Sequence, residues 1–121
     1  LYKDKRIDGF SYGQAKEGGS GNTFLRSLPD NRNLQILSYA LDGFVEEFNL
    51  SQIDHIKLDV DGNEYEILEG ATKLLTQVKS ILVESDAERD DKITNLLARA
   101  GLKKSQQHRL DDKYSDCIFV R

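Results

Sequence analysis

Apolar and polar residues alternate over residues 55–61, where Ile56, Leu58 and Val60 interleave with Lys57, Asp59 and Asp61. Side chains change face at each step along a strand, so this stretch predicts a β-strand with one apolar and one charged face. The period then lengthens: Ile67, Leu68, Ala71, Leu74, Leu75 and Val78 recur at helical spacing. That predicts a helix from Glu64 to about Val78, with Gly62 permitting a tight turn before it and Asn63 as its N-cap. Upstream, residues 34–39 alternate and read as a strand, while Leu41, Phe44, Val45 and Phe48 predict a short amphipathic helix to about residue 49, with Asp42 near its start. Downstream, the unbroken run Ile81, Leu82, Val83 predicts a parallel strand over 80–84 covered on both faces. Ile93, Leu96, Leu97 and Ala100 predict a helix over 88–100 that stops at Gly101 in a left-handed cap. Two last strands, 102–108 and 115–121, flank the polar turn 110–113 and predict a closing antiparallel pair. Strands alternating with helices predict an α/β fold with a mainly parallel sheet and one C-terminal antiparallel strand.

Residues 1–33 break this rhythm. They are polar and hold Gly9, Gly13, Gly18, Gly19, Gly21 and the only proline, Pro29. They read as a Gly-rich loop or hairpin region with short extended pieces, such as 10–14, ahead of a folded unit over 34–121.

Composition narrows the function classes. With 121 residues, 38% hydrophobic and 31% charged, the chain is one globular domain or part of one. A net charge of -4, with basic clusters only at residues 3–6 and at Lys103 and Lys104, argues against a nucleic-acid partner. The single cysteine, Cys117, excludes an internal disulfide and a cysteine-rich metal site, and its apolar surroundings over 117–120 predict a buried, inert thiol. No run reaches the ~18 apolar residues of a membrane span and no signal-like start is seen, which points to a cytoplasmic location without membrane contact. The chain starts at Leu1 and contains no methionine, so further residues are expected upstream.

The candidate chemistry is acidic. In open α/β sheets, ligands bind beyond the carboxyl ends of strands. Asp59 and Asp61 end the strand over 55–61, Glu64 opens the next helix, and Glu84 and Asp86 end the neighbouring strand. Each has an ordinary structural role beside the functional one. Carboxylates at a helix start stabilise its macrodipole by roughly 0.3–1 kcal/mol, Lys57 with Asp59 makes an internal ion pair, and strand-end charges are often just solvated. His55 and His108 stand apart from other metal-type ligands and from any nucleophile. The segment from Asp59 to Asn63 has the alternating acids and glycine of a calcium loop, but with Gly62 at the sixth position Lys57 falls on the first ligand and Leu68 where a bidentate glutamate is required. No metal site is expected. Gly18, Gly19, Ser20 and Gly21 follow no apolar strand and lead into no helix, so they do not read as a cofactor loop.

Several segments together resemble the C-terminal half of the FkbM-type methyltransferases. Residues 39–44 resemble a strand ending in a Leu-Asp pair before a short helix, residues 53–71 the family's Ile-Lys-Ile-Asp-Val-Glu-Gly-like strand and its helix, residues 80–84 the next strand, and residues 116–121 the closing antiparallel strand. The resemblance implies part of a Rossmann-like methyltransferase fold. It also implies transfer of a methyl group from S-adenosylmethionine to an acceptor, commonly a hydroxyl of a sugar or other secondary metabolite. A hydroxyl needs a carboxylate to accept its proton. Asp59 is the first candidate, with Lys57 supporting it, and Asp61 stands where the family usually carries glutamate. Asp61, Glu64 and Glu84 are the expected acceptor-binding groups. The family's Gly-rich turn and ribose-binding acid have no counterpart here, so cofactor-binding residues are not assigned. The cofactor is expected to be held mainly by more N-terminal elements, leaving this piece inactive alone. A non-catalytic α/β interaction domain that keeps the methyltransferase shape is the alternative. The acceptor, whether small molecule or glycan, and the oligomeric state are not read from the sequence.

Overall fold

The computed structural model describes residues 6–11, 23–25, 34–60 and 62–121. It is a mixed α/β structure with two sheets. The smaller sheet has the order β2-β1-β3, from β1 (Arg6–Ser11), β2 (Thr23–Leu25) and β3 (Leu34–Ser38), all antiparallel. The larger has the order β4-β5-β7-β6, from β4 (His55–Leu58), β5 (Ser80–Asp86), β6 (Lys103–Arg109) and β7 (Tyr114–Val120).

The strand predicted over 34–39 therefore forms, but in a different sheet. The backbone of β3 finds its ladder in β1, with Ile7 opposite Leu37 and Phe10 opposite Leu34. It does not join the parallel sheet. In the larger sheet β4 and β5 pair in parallel, with His55 opposite Ser80 and Leu58 opposite Val83. β7 is antiparallel to both its neighbours. β4, β5 and β6 thus share one direction, yet only one ladder is parallel because the reversed strand sits between β5 and β6. The sheet is less parallel in its pairing than the sequence predicts.

Helix α1 (Leu41–Glu47) ends two residues before the expected boundary, in a Schellman arrangement. Asn49 takes φ 50°, its N–H bonds to the Glu46 carbonyl at 3.2 Å, and the Leu50 N–H bonds to the Val45 carbonyl at 3.0 Å. Helix α2 is a larger correction. It covers only Glu64–Glu69 and is followed by a separate 3-10 turn, Leu74–Thr76. Asp42 enters the break: its N–H donates to the Gly70 carbonyl at 2.9 Å, and its carboxylate accepts the N–H groups of Lys73 and Leu74 at 2.8 and 2.9 Å. A side chain from α1 supplies the cap that restarts the chain. The six apolar positions that suggested one long helix are all buried nonetheless, because the turn keeps them on the same side.

Helix α3 (Asp90–Arg99) ends as the sequence predicts, in a second Schellman arrangement around Gly101. The Gly101 N–H bonds to the Ala98 carbonyl and the Leu102 N–H to the Leu97 carbonyl, both at 3.0 Å. Helices α2 and α3 cover one face of the larger sheet. The core between them holds Leu68, Leu75, Ile81, Val83, Ile93, Leu97, Leu102, Cys117 and Phe119. β5 alternates between buried and half-buried positions, so it is not covered equally on both faces. Ile81 and Val83 face the helices, while Leu82 and Glu84 lie on the more open side.

Candidate active site

The open face of the sheet and the carboxyl ends of its strands bring the acidic residues together. β4 delivers the alternation its sequence demands: Leu58 is buried, Ile56 and Val60 are half-buried, and Lys57 and Asp59 are exposed. Lys57 Nζ lies 3.1 Å from Asp59 Oδ2, with the two side chains 69% and 47% exposed. The pair is thus reachable by a ligand, and as an exposed ion pair it contributes little to stability. The register sets the next neighbours. Glu84 of β5 is opposite Asp116 of β7, which is opposite His108 of β6. The β4–β5 ladder ends at Leu58 opposite Val83, so one residue further Asp59 falls level with Glu84. Glu84, Asp116 and His108 therefore form one row across β5, β7 and β6, on the side away from α2 and α3, and Asp59 directly follows the last ladder residue of β4. Sequence spacing brings only Asp59 and Glu84 into view; Asp116 and His108 enter through the β7 insertion.

Asp61 lies outside the described residues. Glu64 is described, and its carboxylate is engaged by the backbone. It is 4% exposed, and its Oε1 accepts the N–H groups of Val60 and Gly62, both at 3.1 Å. Its carboxylate folds back onto the turn that precedes it, while Asn63 occupies the N-cap position without the side-chain bond expected of it. Asp86 is also engaged: Oδ1 accepts the backbone N–H of Arg89 at 2.8 Å, and Oδ2 pairs with the Arg89 guanidinium at 3.3 Å. Arg89 Nη1 donates in addition to the Gly62 carbonyl at 2.6 Å. Sequence reasoning passed over Arg89. The only local signal is the Asp86-x-x-Arg89 spacing before a helix.

The remaining titratable groups explain themselves. His55 Nδ1 pairs with Ser80 Oγ at 2.8 Å across the parallel ladder. Asp54 is held below the usual carboxylate range by the hydrogen bonds of Lys79 and then Gln52. Asp111, in the β6–β7 turn, is held down by the backbone N–H groups of Tyr114 and Lys113. Burial pushes the Cys117 thiol up, Lys104 pulls it back and Asp90 raises it further. Among the described residues no group of three or more His, Cys, Asp or Glu side chains is placed to hold a metal ion. No described helix is long and apolar enough to cross a membrane.

A polar depression of about 340 Å³ adjoins the end of β5, lined by Ser85, Asp86, Asp91, Gln107, Arg109 and Lys113 among others. An apolar cavity of similar volume lies on the helical side, between Tyr65, Leu75 and Leu96. Neither is lined by Lys57, Asp59 or Glu84.

The methyltransferase FkbM domain matches residues 8–111. Hexuronic acid methyltransferase AglP of Haloferax volcanii is 35% identical over 71 residues, covering 58% of this chain and 30% of the relative. The chain matches less than a third of that protein's length. No solved structure matches.

Proposed function

This chain belongs to the FkbM methyltransferase family, and from that membership we propose that it is the acceptor-side part of an S-adenosylmethionine-dependent methyltransferase with a Rossmann-like fold. The observation that carries the reading is the exposed Lys57–Asp59 pair at the carboxyl end of β4, inside the segment that resembles the family's hallmark. The strand order β4-β5-β7-β6, with β7 reversed, supports the C-terminal half of such a fold. The name of the similar AglP protein favours a sugar as acceptor. The proposed reaction is O-methylation of a hydroxyl on a sugar or other secondary metabolite.

The described residues contain no glycine-rich turn between a strand and a helix, and so show no fit to the methionine and ribose of the cofactor. In this proposal the cofactor supplies an electrophilic methyl group and is held mainly by other parts of the intact protein. This chain acts on the acceptor. Asp59 would accept a hydrogen bond from the acceptor hydroxyl and take its proton. The Lys57 ammonium beside Asp59 compensates the carboxylate's charge and offers a donor to the same acceptor. Glu84, level with Asp59, lines the far side of the acceptor. Glu64 holds the turn and leaves the acceptor to the other groups.

In the intact protein, Asp59→Asn is expected to lower kcat by roughly 100- to 10,000-fold, the usual contribution of a general base. Circular dichroism should match the wild type. Isotope-labelled methyl transfer at saturating cofactor measures it, and unchanged turnover with an unchanged fold would remove Asp59 from the mechanism.

A further inference from the structure

We propose that Arg89 is a positioning residue, whose guanidinium fastens the turn after β4 to the end of β5 and thereby fixes the aim of Asp59 at the acceptor. The proposal rests on the methyl-transfer reading above and adds to it a residue 27 positions downstream of the turn it controls. Three contacts carry it. Arg89 Nη1 donates to the Gly62 carbonyl at 2.6 Å, the same guanidinium pairs with Asp86 Oδ2 at 3.3 Å, and the Arg89 backbone N–H is held by Asp86 Oδ1 at 2.8 Å. Asp86 is the last residue of β5, so the guanidinium is itself held in place by the strand end it joins to the turn.

The turn is gripped from both sides. Glu64 takes the N–H groups of Val60 and Gly62, and Arg89 takes the carbonyl that follows. Gly62 has φ 102°, and a Cβ there would stand 3.0 Å from Arg89 Nη1, so the close approach of the guanidinium uses the absence of a side chain. Asp59 directly precedes Val60, and among the described residues its carboxylate pairs with the exposed Lys57. Its direction therefore depends on the backbone that Glu64 and Arg89 fix. Displacement of a reacting group by about 1 Å costs on the order of 100-fold in rate, and the clamp is partly shielded from water, 39% exposed at Arg89 and 11% at Asp86. One nitrogen, Nη1, serves the carbonyl and the carboxylate together, at a reach from the backbone that the shorter lysine side chain lacks.

The test uses the intact protein and its labelled-methyl assay. Arg89→Ala is expected to lower kcat roughly 10- to 100-fold while KM for the cofactor stays within about twofold and added guanidinium ion restores part of the rate. Arg89→Lys is expected to stay well below wild type, since it keeps the charge but its shorter side chain ends before the place that Nη1 occupies. An Arg89→Ala enzyme with wild-type kcat overturns the positioning role and leaves the methyl-transfer reading standing. Should that variant fail to fold, Arg89→Lys decides: full turnover overturns the proposal and impaired turnover with a wild-type fold supports it. A wild-type protein that transfers no methyl group to any sugar or hydroxyl acceptor defeats the functional reading and this role with it.

Discussion

Cys117 shows how far a single side chain is set by its surroundings. It is fully buried, its Sγ donates to Asp90 Oδ1 at 3.6 Å, and Asp90 is in turn held by Lys104 Nζ at 2.7 Å. Burial raises its ionisation above the ordinary range. The thiolate is the reactive form, so iodoacetamide is expected to modify the native protein far more slowly than the unfolded chain at pH 8; equal rates would contradict it. The same shift sets a pH dependence. The folded thiol keeps its proton at a pH where the unfolded one, near 8.5, loses it. Its contribution is therefore fully present below about pH 8.5 and is lost as pH rises towards the folded value. Urea midpoints followed from pH 7 to 10 should fall more for the wild type than for Cys117→Ala. The apolar run around Cys117 made its burial legible in the sequence. Asp42 was legible only as an acid near a helix start, because the N–H groups it caps lie 31 and 32 residues away, beyond any local pattern. Glu64 was legible as a member of an acidic cluster, but not its choice between solvent and the backbone behind it.

At the scale of elements, periodicity reports burial more faithfully than it reports helix continuity. Ile67 to Val78 keep their inward face across the break at Gly70, and only the backbone bonds of Asp42 reveal that two pieces share it. Helix ends with a special backbone conformation were easier to read. Gly101 combines φ 86° with a guanidinium that a Cβ would approach to 2.9 Å. That guanidinium belongs to Arg121, which donates to the carbonyls of Leu75 at 2.7 Å and of Val78 and Ala100 at 3.2 Å, gathering the ends of the 3-10 turn and of α3. Gly101→Ala therefore meets both backbone strain and a displaced Arg121. It is expected to destabilise the chain by about 1–2 kcal/mol, the cost of a left-handed conformation with a Cβ, with an unchanged denaturant slope. A variant as stable as wild type in urea would mean that the α3 cap relaxes freely.

For the molecule as a whole, the pairing type of each strand was easier to read than its place in the sheet. The apolar run of β5 and the helix between β4 and β5 imply a parallel neighbour, and the short polar link between β6 and β7 implies an antiparallel one. Nothing in those segments states that β7 lies between β5 and β6, or that β3 turns away to β1, since both depend on partners distant in sequence. The resulting sheet leaves β4 as an outer strand with the acidic turn at its end. The acceptor-side site proposed above completes a reaction only when a cofactor is held against it. The described residues offer carboxylates and a lysine at the strand ends, which suit a hydroxyl acceptor, but no turn of closely spaced backbone N–H groups for the cofactor. The 121-residue chain is accordingly expected to give no measurable heat on titration with S-adenosylmethionine, while the intact protein binds it. Micromolar binding by the isolated chain would locate the cofactor site within these residues and move the division of labour proposed here. Binding by neither form would remove the cofactor and leave a methyltransferase-shaped domain without methyl transfer.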